Sequence, residues 1–175
     1  MIYSPIDSFD DKQKKDKDEI IEELEDLELQ VFRMKENMKE IAKRSQILGI
    51  DQTKEDKWVI VYAIDDGNVC KVMLHDCETP YRGKWDFSIQ AQYADDYVIH
   101  IQDIRGEENR GFGSVCMKFL KEHAMDQNVQ CITGDLVERD WDHIDRLTHF
   151  YKKHNFKVEV EEEQKYGEIY WSPAV

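Results

Sequence analysis

The sequence predicts an α+β fold in which a long N-terminal, coiled-coil-like helix precedes a mixed, mostly antiparallel sheet flanked by helices. Three observations carry this. From Asp10 to about Leu48 there is neither Gly nor Pro, and Ile20, Leu24, Leu27, Val31, Met34, Met38 and Ile41 recur at alternating spacings of four and three. From Trp58 onward the period becomes that of strands separated by turn signals. Beyond Ile104, strand and helix patterns alternate, which places helices on a mixed sheet.

The N-terminal helix comes first. If it covers the whole uninterrupted stretch it is nearly 60 Å long at about 1.5 Å per residue, too long to be covered by one small domain. Asp18, Glu19, Glu22, Glu23, Glu25, Asp26 and Glu28 lie early, and Arg33, Lys35, Lys39, Lys43 and Arg44 lie late, diluted by Glu36 and Glu40. Antiparallel pairing of two copies aligns these opposite charges, which predicts a homodimer through this helix. The same gradient complements the helix dipole in a monomer, and Leu29 and Phe32 lie off the seam, so packing on the chain's own domain is the competing reading. Gly49 is expected to end the helix in a left-handed conformation, with the polar stretch Asp51 to Asp56 as a connector. This divides the chain into a helical segment, 1–50, and a globular domain, 57–175.

In that domain, Trp58 to Ile64 reads as a strand. Asp65-Asp66-Gly67-Asn68 turns it into a hairpin with Val69 to His75. Trp85 to Tyr93 and Tyr97 to Ile104 follow as antiparallel neighbours. Next come an amphipathic helix from about Ser114, a strand from Gln130 to Leu136, a helix from His143 to His154, and strands over Phe156 to Glu161 and Glu168 to Ser172.

Composition excludes several classes. A formal charge of −14 and a pI near 4.8 argue against sequence-independent nucleic-acid binding and favour a cationic partner. Mean hydropathy is −0.73, no stretch approaches the roughly 18 apolar residues a membrane span needs, and the N-terminus lacks a secretory pattern, so no membrane association and a cytoplasmic location are expected. Cys70, Cys77, Cys116 and Cys131 are scattered singly and read as free thiols. His123, His143, His149 and His154 do not share spacings that hold a metal, and no metal is expected.

The stretch "NRGFGSVCMKFLKEHA" carries the chemistry. Gly111 and Gly113 lie after a strand and directly before a helix, where free N–H groups and the positive helix end suit an anion such as pyrophosphate. A flexible turn is the plainer alternative. Position 116 is Cys and no Gly-Lys-Ser/Thr follows, so neither the dinucleotide fingerprint nor the P-loop is present.

In order, "YVIHIQDI", "RGEEN", "RGFGS", "VCMKFLKEHA", "QCITGDL" and "RLTHFYKKHNFKVEV" resemble the GNAT superfamily of N-acetyltransferases. In that family an Arg/Gln-x-x-Gly-x-Gly/Ala turn holds the acetyl-CoA pyrophosphate through main-chain amides, and a Phe-Tyr-x-x-x-Gly-Phe signature follows. The resemblance implies acetyl-CoA as cofactor, with Asn109, Arg110, Gly111, Phe112, Gly113 and Ser114 at its phosphates and the main chain of Gln102, Asp103 and Ile104 along its pantetheine arm. It also implies transfer of the acetyl group to an amine-bearing acceptor, for which the acidic field favours a cation. Glu108 stands at the Arg/Gln position and Asn155 at the Gly position. The two family helices that shape the acceptor site have no counterpart between Ile64 and Trp85.

By the same resemblance Tyr151 protonates the departing thiolate. A base must take the ammonium proton; His100 is the first candidate, and Asp96, Asp135, Glu138 and a water relay are alternatives. A different class of function also remains open: a non-catalytic CoA-binding or protein-interaction module that associates through its N-terminal helix.

Overall fold

The computed structural model describes residues 16–174. In chain order it contains α1 (Lys17–Ala42), β1 (Gln46–Gln52), β2 (Trp58–Asp65), β3 (Val69–His75), β4 (Phe87–Asp95), β5 (Val98–Gly106), α2 (Phe112–Asp126), β6 (Cys131–Leu136), a 3-10 turn (Glu138–His143), α3 (Ile144–Lys153), β7 (Lys157–Glu161) and β8 (Tyr166–Trp171). The strands form one sheet in the order β1-β2-β3-β4-β5-β6-β8-β7. Every neighbour pair is antiparallel except β5 with β6, which α2 connects. This is the α+β class that the patterns predict.

Period-two patterning decides the layers. On β2, Val59, Val61 and Ala63 face α2 and pack with Leu74, Ile89, Ile99 and Ile101 against Phe112, Cys116 and Leu120. Ile60 and Tyr62 face the other way and meet Met73 and the α1 residues Met34, Met38 and Ile41. The β2–β3 turn is set by its carboxylates: Asp65 accepts from the Gly67 N–H at 2.9 Å, and Asp66 accepts from Asn68 at 2.9 Å and Val69 at 2.8 Å.

Two expectations near residue 49 are corrected. The helix ends at Ala42 rather than Leu48, and the following residues are β1, paired with β2 from Gln46↔Ala63 to Gln52↔Trp58. Gly49 is not a left-handed cap. A Cβ there would lie 2.7 Å from the Phe119 ring, so glycine is required because β1 packs on α2. The connector expected at Asp51 to Asp56 accordingly begins inside the sheet, with Asp51 and Gln52 in β1. The part of the predicted helix before Asp16 lies outside the described residues.

The heptad seam divides in two. Ile41 is buried, Met34 and Met38 are half-buried, and the Asn37 side chain donates to the Thr79 carbonyl at 3.1 Å and accepts from the Tyr81 N–H at 2.8 Å. Packing on the chain's own domain therefore holds for the C-terminal half of α1. Every residue from 16 to 32 is exposed. Among the described residues no helix is long and apolar enough to cross a membrane.

Candidate functional site

The parallel pairing of β5 with β6 runs from Val98↔Cys131 to Ile101↔Gly134 and stops there, although β5 continues to Gly106 and β6 to Leu136. The strands therefore part toward their C-terminal ends. On the β4 side, Gln90 opposes Asp103 and Ala91 opposes Ile101, so Gln102 is the extra residue of a bulge that bends β5. At the strand's exit Gly106 has φ 142°, and a Cβ there would lie 2.5 Å from the Asp86 carbonyl oxygen.

Helix α2 starts at the same end of the sheet. Gly111 is its N-cap at φ 78° and ψ 2°, supplies no side-chain cap, and is followed by no acid in the first turn. By contrast, α1 opens with a full capping box from Asp16 and Glu19. The N–H groups of Phe112, Gly113 and Ser114 find no acceptor among the described residues. They leave the positive end of the helix open to an anion. Gly113 has a packing reason as well, since its Cβ would meet Phe87 at 3.1 Å and Phe150 at 3.2 Å.

A groove of about 610 Å3 opens over this turn, between the β5 exit, the β1–β2 loop and α3. Its rim carries Lys54, Arg105, Lys118, Arg146 and Lys153 against Asp51, Glu107 and Glu108. The excess is basic in a chain of net charge −14. Glu108 forms an ion pair with Arg146, so the acid at the position where the resemblance expects Arg or Gln is neutralised by α3. Lys118 pairs with Asp51 at 2.9 Å, and Lys153 donates to the Ser114 hydroxyl at 3.3 Å. His154 lies 3.2 Å from that hydroxyl; burial, then Lys121 and Lys153, push its pKa down to about 4, so it is neutral at pH 7.

Six of the residues that the resemblance assigns to the cofactor line this groove: Ile104, Asn109, Gly111, Phe112, Gly113 and Ser114. Three are not brought into it. Arg110 turns to Glu107 at 2.7 Å and to Asp76 and Glu78 at 3.5 Å, and its guanidinium lies 4.6 Å from the Phe112 ring centre. Asp103 pairs with Arg105, and the Gln102 side chain binds Gln92. The Gln102 carbonyl accepts from Arg139 at 3.3 Å, a link that reaches from the turn after β6 to the diverging strand.

His100 alternates with the core residues Ile99 and Ile101, which puts it on the opposite face of the sheet. Its Nδ1 is 2.9 Å from Thr133 Oγ1 and its Nε2 is 3.4 Å from Asp135. Asp135 also accepts from the Tyr166 hydroxyl at 3.3 Å, and Glu168 accepts from the same hydroxyl at 2.9 Å. Two of the base candidates thus come together, with Asp135 beside His100. Asp96 is placed elsewhere, beside a polar hollow with Asp65, Tyr93 and His123, and Glu138 is an exposed partner of Lys165 at 3.6 Å. Tyr151 is buried between Phe150 and Phe156, 5.4 Å from each ring centre, and does not line the groove. Burial, and then the charge of Asp140, raises its phenol pKa.

Sequence spacing hid two polar clusters that only the sheet assembles. His123 is 2.7 Å from Asp65, which also accepts from the Tyr93 hydroxyl at 2.6 Å, with Cys70 adjacent. The buried His75 bonds the Thr79 carbonyl at 2.9 Å and lies 3.2 Å from Asp86, outside hydrogen-bond geometry, beside Asp76. The basic rim was equally hidden, because Lys54, Lys118 and Arg146 come from three separated elements.

No protein-family model matches the chain. It is 55% identical over 159 residues to the uncharacterized protein YocC of Bacillus subtilis, covering 91% of this chain and 96% of that one. Among solved structures, the GNAT domain of S. lividans PAT superposes with a TM-score of 0.57 at 5% identity, over 75% of this chain and 98% of that one. A cAMP-binding acyltransferase from Mycobacterium smegmatis gives 0.56 at 11% identity, over 78% and 51%. A GNAT family acetyltransferase from Elizabethkingia anophelis with acetyl-CoA bound gives 0.50 at 10% identity, over 66% and 98%. The fold is that of the GNAT acetyltransferases, and the chain belongs to one family with YocC.

Proposed function

We propose that this member of the YocC family is an N-acetyltransferase that takes its acetyl group from acetyl-CoA and passes it directly to an amine-bearing acceptor. The observation that carries this reading is the uncapped N-terminus of α2 beneath a basic-rimmed groove, at the place where β5 and β6 part. Three unclaimed amides and an excess of lysine and arginine fit the diphosphate of CoA. Asn109 and Gly111 to Ser114 would hold those phosphates, with Lys54, Lys118 and Lys153 within the same groove. The cofactor, when bound, supplies an acetyl group activated as a thioester.

The chain's own groups then divide the proton transfers. His100, with Nε2 directed at Asp135, would take the proton from the acceptor ammonium on Nδ1, in place of that nitrogen's Thr133 contact; the carboxylate orients the ring and stabilises the charge it gains. Asp135 and Glu168 on the same face favour a cationic acceptor. Tyr151 holds the proton destined for the leaving sulfur, and its raised pKa keeps it a phenol at neutral pH. No helix lies between β2 and β4, so the acceptor side is open. Two observations favour a second reading, CoA binding without transfer: neither Tyr151 nor His100 lines the groove.

Titration calorimetry with acetyl-CoA tests both. Binding is expected in the micromolar range, weakened at least about tenfold by Gly111→Asp, because Asp tolerates positive φ yet sets a carboxylate at the amides. Tyr151→Phe should retain binding and lose acetyl transfer. Absence of binding by the folded native chain sinks both readings; binding with a Tyr151→Phe variant as active as the native chain removes the assigned acid.

A further inference from the structure

At the end of the sheet away from the groove, four side chains from four elements converge beneath the last turns of α2. Asp65 ends β2, Cys70 opposes it on β3, Tyr93 comes from β4 and His123 from α2. His123 Nε2 lies 2.7 Å from Asp65 Oδ2, the oxygen that also accepts from the Tyr93 hydroxyl at 2.6 Å. One donor atom each from Asp65, Cys70 and His123 lie within 4.8 Å of one another, and Cys70 and His123 are buried. A hollow of about 510 Å3 opens onto Asp65, Tyr93 and His123, with Asp95 and Asp96 on its wall. Among the described residues no lysine or arginine lines it, in contrast to the basic rim of the groove, so its field favours a cation.

We propose that the Asp65 carboxylate, Cys70 Sγ and His123 Nε2 bind a zinc ion whose fourth position faces this hollow. The donor set selects the metal: imidazole and thiolate suit zinc, whereas magnesium and calcium take oxygen ligands. Charge fits as well, because a thiolate and a carboxylate together neutralise a divalent ion and leave the buried centre without net charge. Donors around tetrahedral zinc are about 3.3–3.7 Å apart, so the Asp65–His123 contact opens by under about 1 Å while the sulfur closes in. On binding, the Cys70 thiol releases its proton to solvent, and His123 carries its own on Nδ1, which frees the Nε2 lone pair. Tyr93 stays on Asp65 as the outer hydrogen bond that orients a ligating carboxylate. The spacing of the histidines concealed the site, since Asp65 and His123 are 58 residues apart. The other group of this kind, His75 with Asp76 and Asp86, lacks a thiol and has the Arg110 guanidinium 3.5 Å from Asp76, so the chain supplies its own cation there. The ion pins α2 to β2 and β3 about 17 Å along the helix from Phe112. The site goes beyond the transferase reading and does not depend on it.

Zinc alone is the probe. The full chain, stripped with EDTA and returned to chelator-free buffer, should bind one zinc ion with submicromolar affinity and melt at a higher temperature once loaded. Cobalt(II) in its place should give the intense thiolate-to-metal absorption of a sulfur ligand, lost in Cys70→Ser and kept in Cys77→Ser. Zinc affinity should fall about tenfold in Tyr93→Phe, further in Cys70→Ser and His123→Gln, and not at all in His75→Gln. Circular dichroism in EDTA checks that each variant is folded; should a ligand variant fail to fold, Tyr93→Phe, which keeps its ring, decides. No saturable zinc binding by the native chain, a cobalt complex without the thiolate band, binding that survives both ligand substitutions or is lost in His75→Gln, or an affinity unchanged by Tyr93→Phe would each overturn the proposal.

Discussion

His75 shows how a single side chain ties the back of the sheet to the groove. Burial alone would lower its pKa, but Asp86, the Thr79 carbonyl and Asp76 outweigh burial and raise it, while Asp86, with His75 as its principal charged partner, is lowered. Asp76 in turn lies 3.5 Å from Arg110, next to the Gly111 turn. A histidine whose folded pKa is raised contributes stability that is complete below the unfolded value near 6.5 and is lost as pH rises through the folded value. Asp86 has the opposite sign: its contribution is present above about 3.9 and lost as pH falls through its lowered folded value. The pair therefore stabilises between those limits. The melting-temperature gap between the native chain and His75→Gln should be widest near pH 6 and shrink toward pH 9. A gap that stays constant across that range would mean His75 acts through packing alone. None of this was legible beforehand, because His75, Thr79 and Asp86 meet only through the β3–β4 loop and Arg110 is a sequence neighbour of none of them.

At the scale of elements, the strands were readable and the start of the sheet was not. The Asp65 to Asn68 turn and the alternation on each side of it place β2 and β3 to within a residue, since the hairpin is a local arrangement. β1 was lost because Gln46 to Ile50 follows a strong helical seam and too few of its residues alternate to break the reading. What makes it a strand is tertiary: pairing with β2 and the contact of Gly49 with Phe119. That contact gives a direct check. Gly49→Ala should cost about 1–3 kcal/mol by overpacking, and Phe119→Leu in the same chain should recover most of the loss, measured by urea unfolding as a double-mutant cycle. A left-handed cap at Gly49 would make the cost independent of residue 119, so an absence of coupling would defeat the packing account. The candidate site divides the same way. The Gly111 turn is a local signal, whereas the Glu108–Arg146 pair, which neutralises the acid in the motif, joins residues 38 apart.

For the whole molecule, the proposed transfer requires a chain of charge −14 to accept both a polyanionic cofactor and a cationic amine. The groove's basic rim acts at contact range, while the surrounding acids act over many ångströms and are the part that salt removes, the screening length being about 10 Å at 0.1 M. For acetyl-CoA the two effects oppose each other: salt weakens the short-range attraction and relieves the long-range repulsion. For a cationic acceptor at the His100, Asp135 and Glu168 face they act together, because both the local carboxylates and the distant field attract it. Raising ionic strength from about 0.01 to about 0.15 M, which shortens the screening length from about 30 to about 8 Å, should therefore raise the KM of a cationic amine several-fold. The Kd of acetyl-CoA should move by less than about twofold over the same interval, because attraction and repulsion are screened together. A Kd that falls as salt rises would show that the rim's charge excess does not offset the field, whereas a Kd that rises in parallel with the KM would show that the rim's attraction outweighs it.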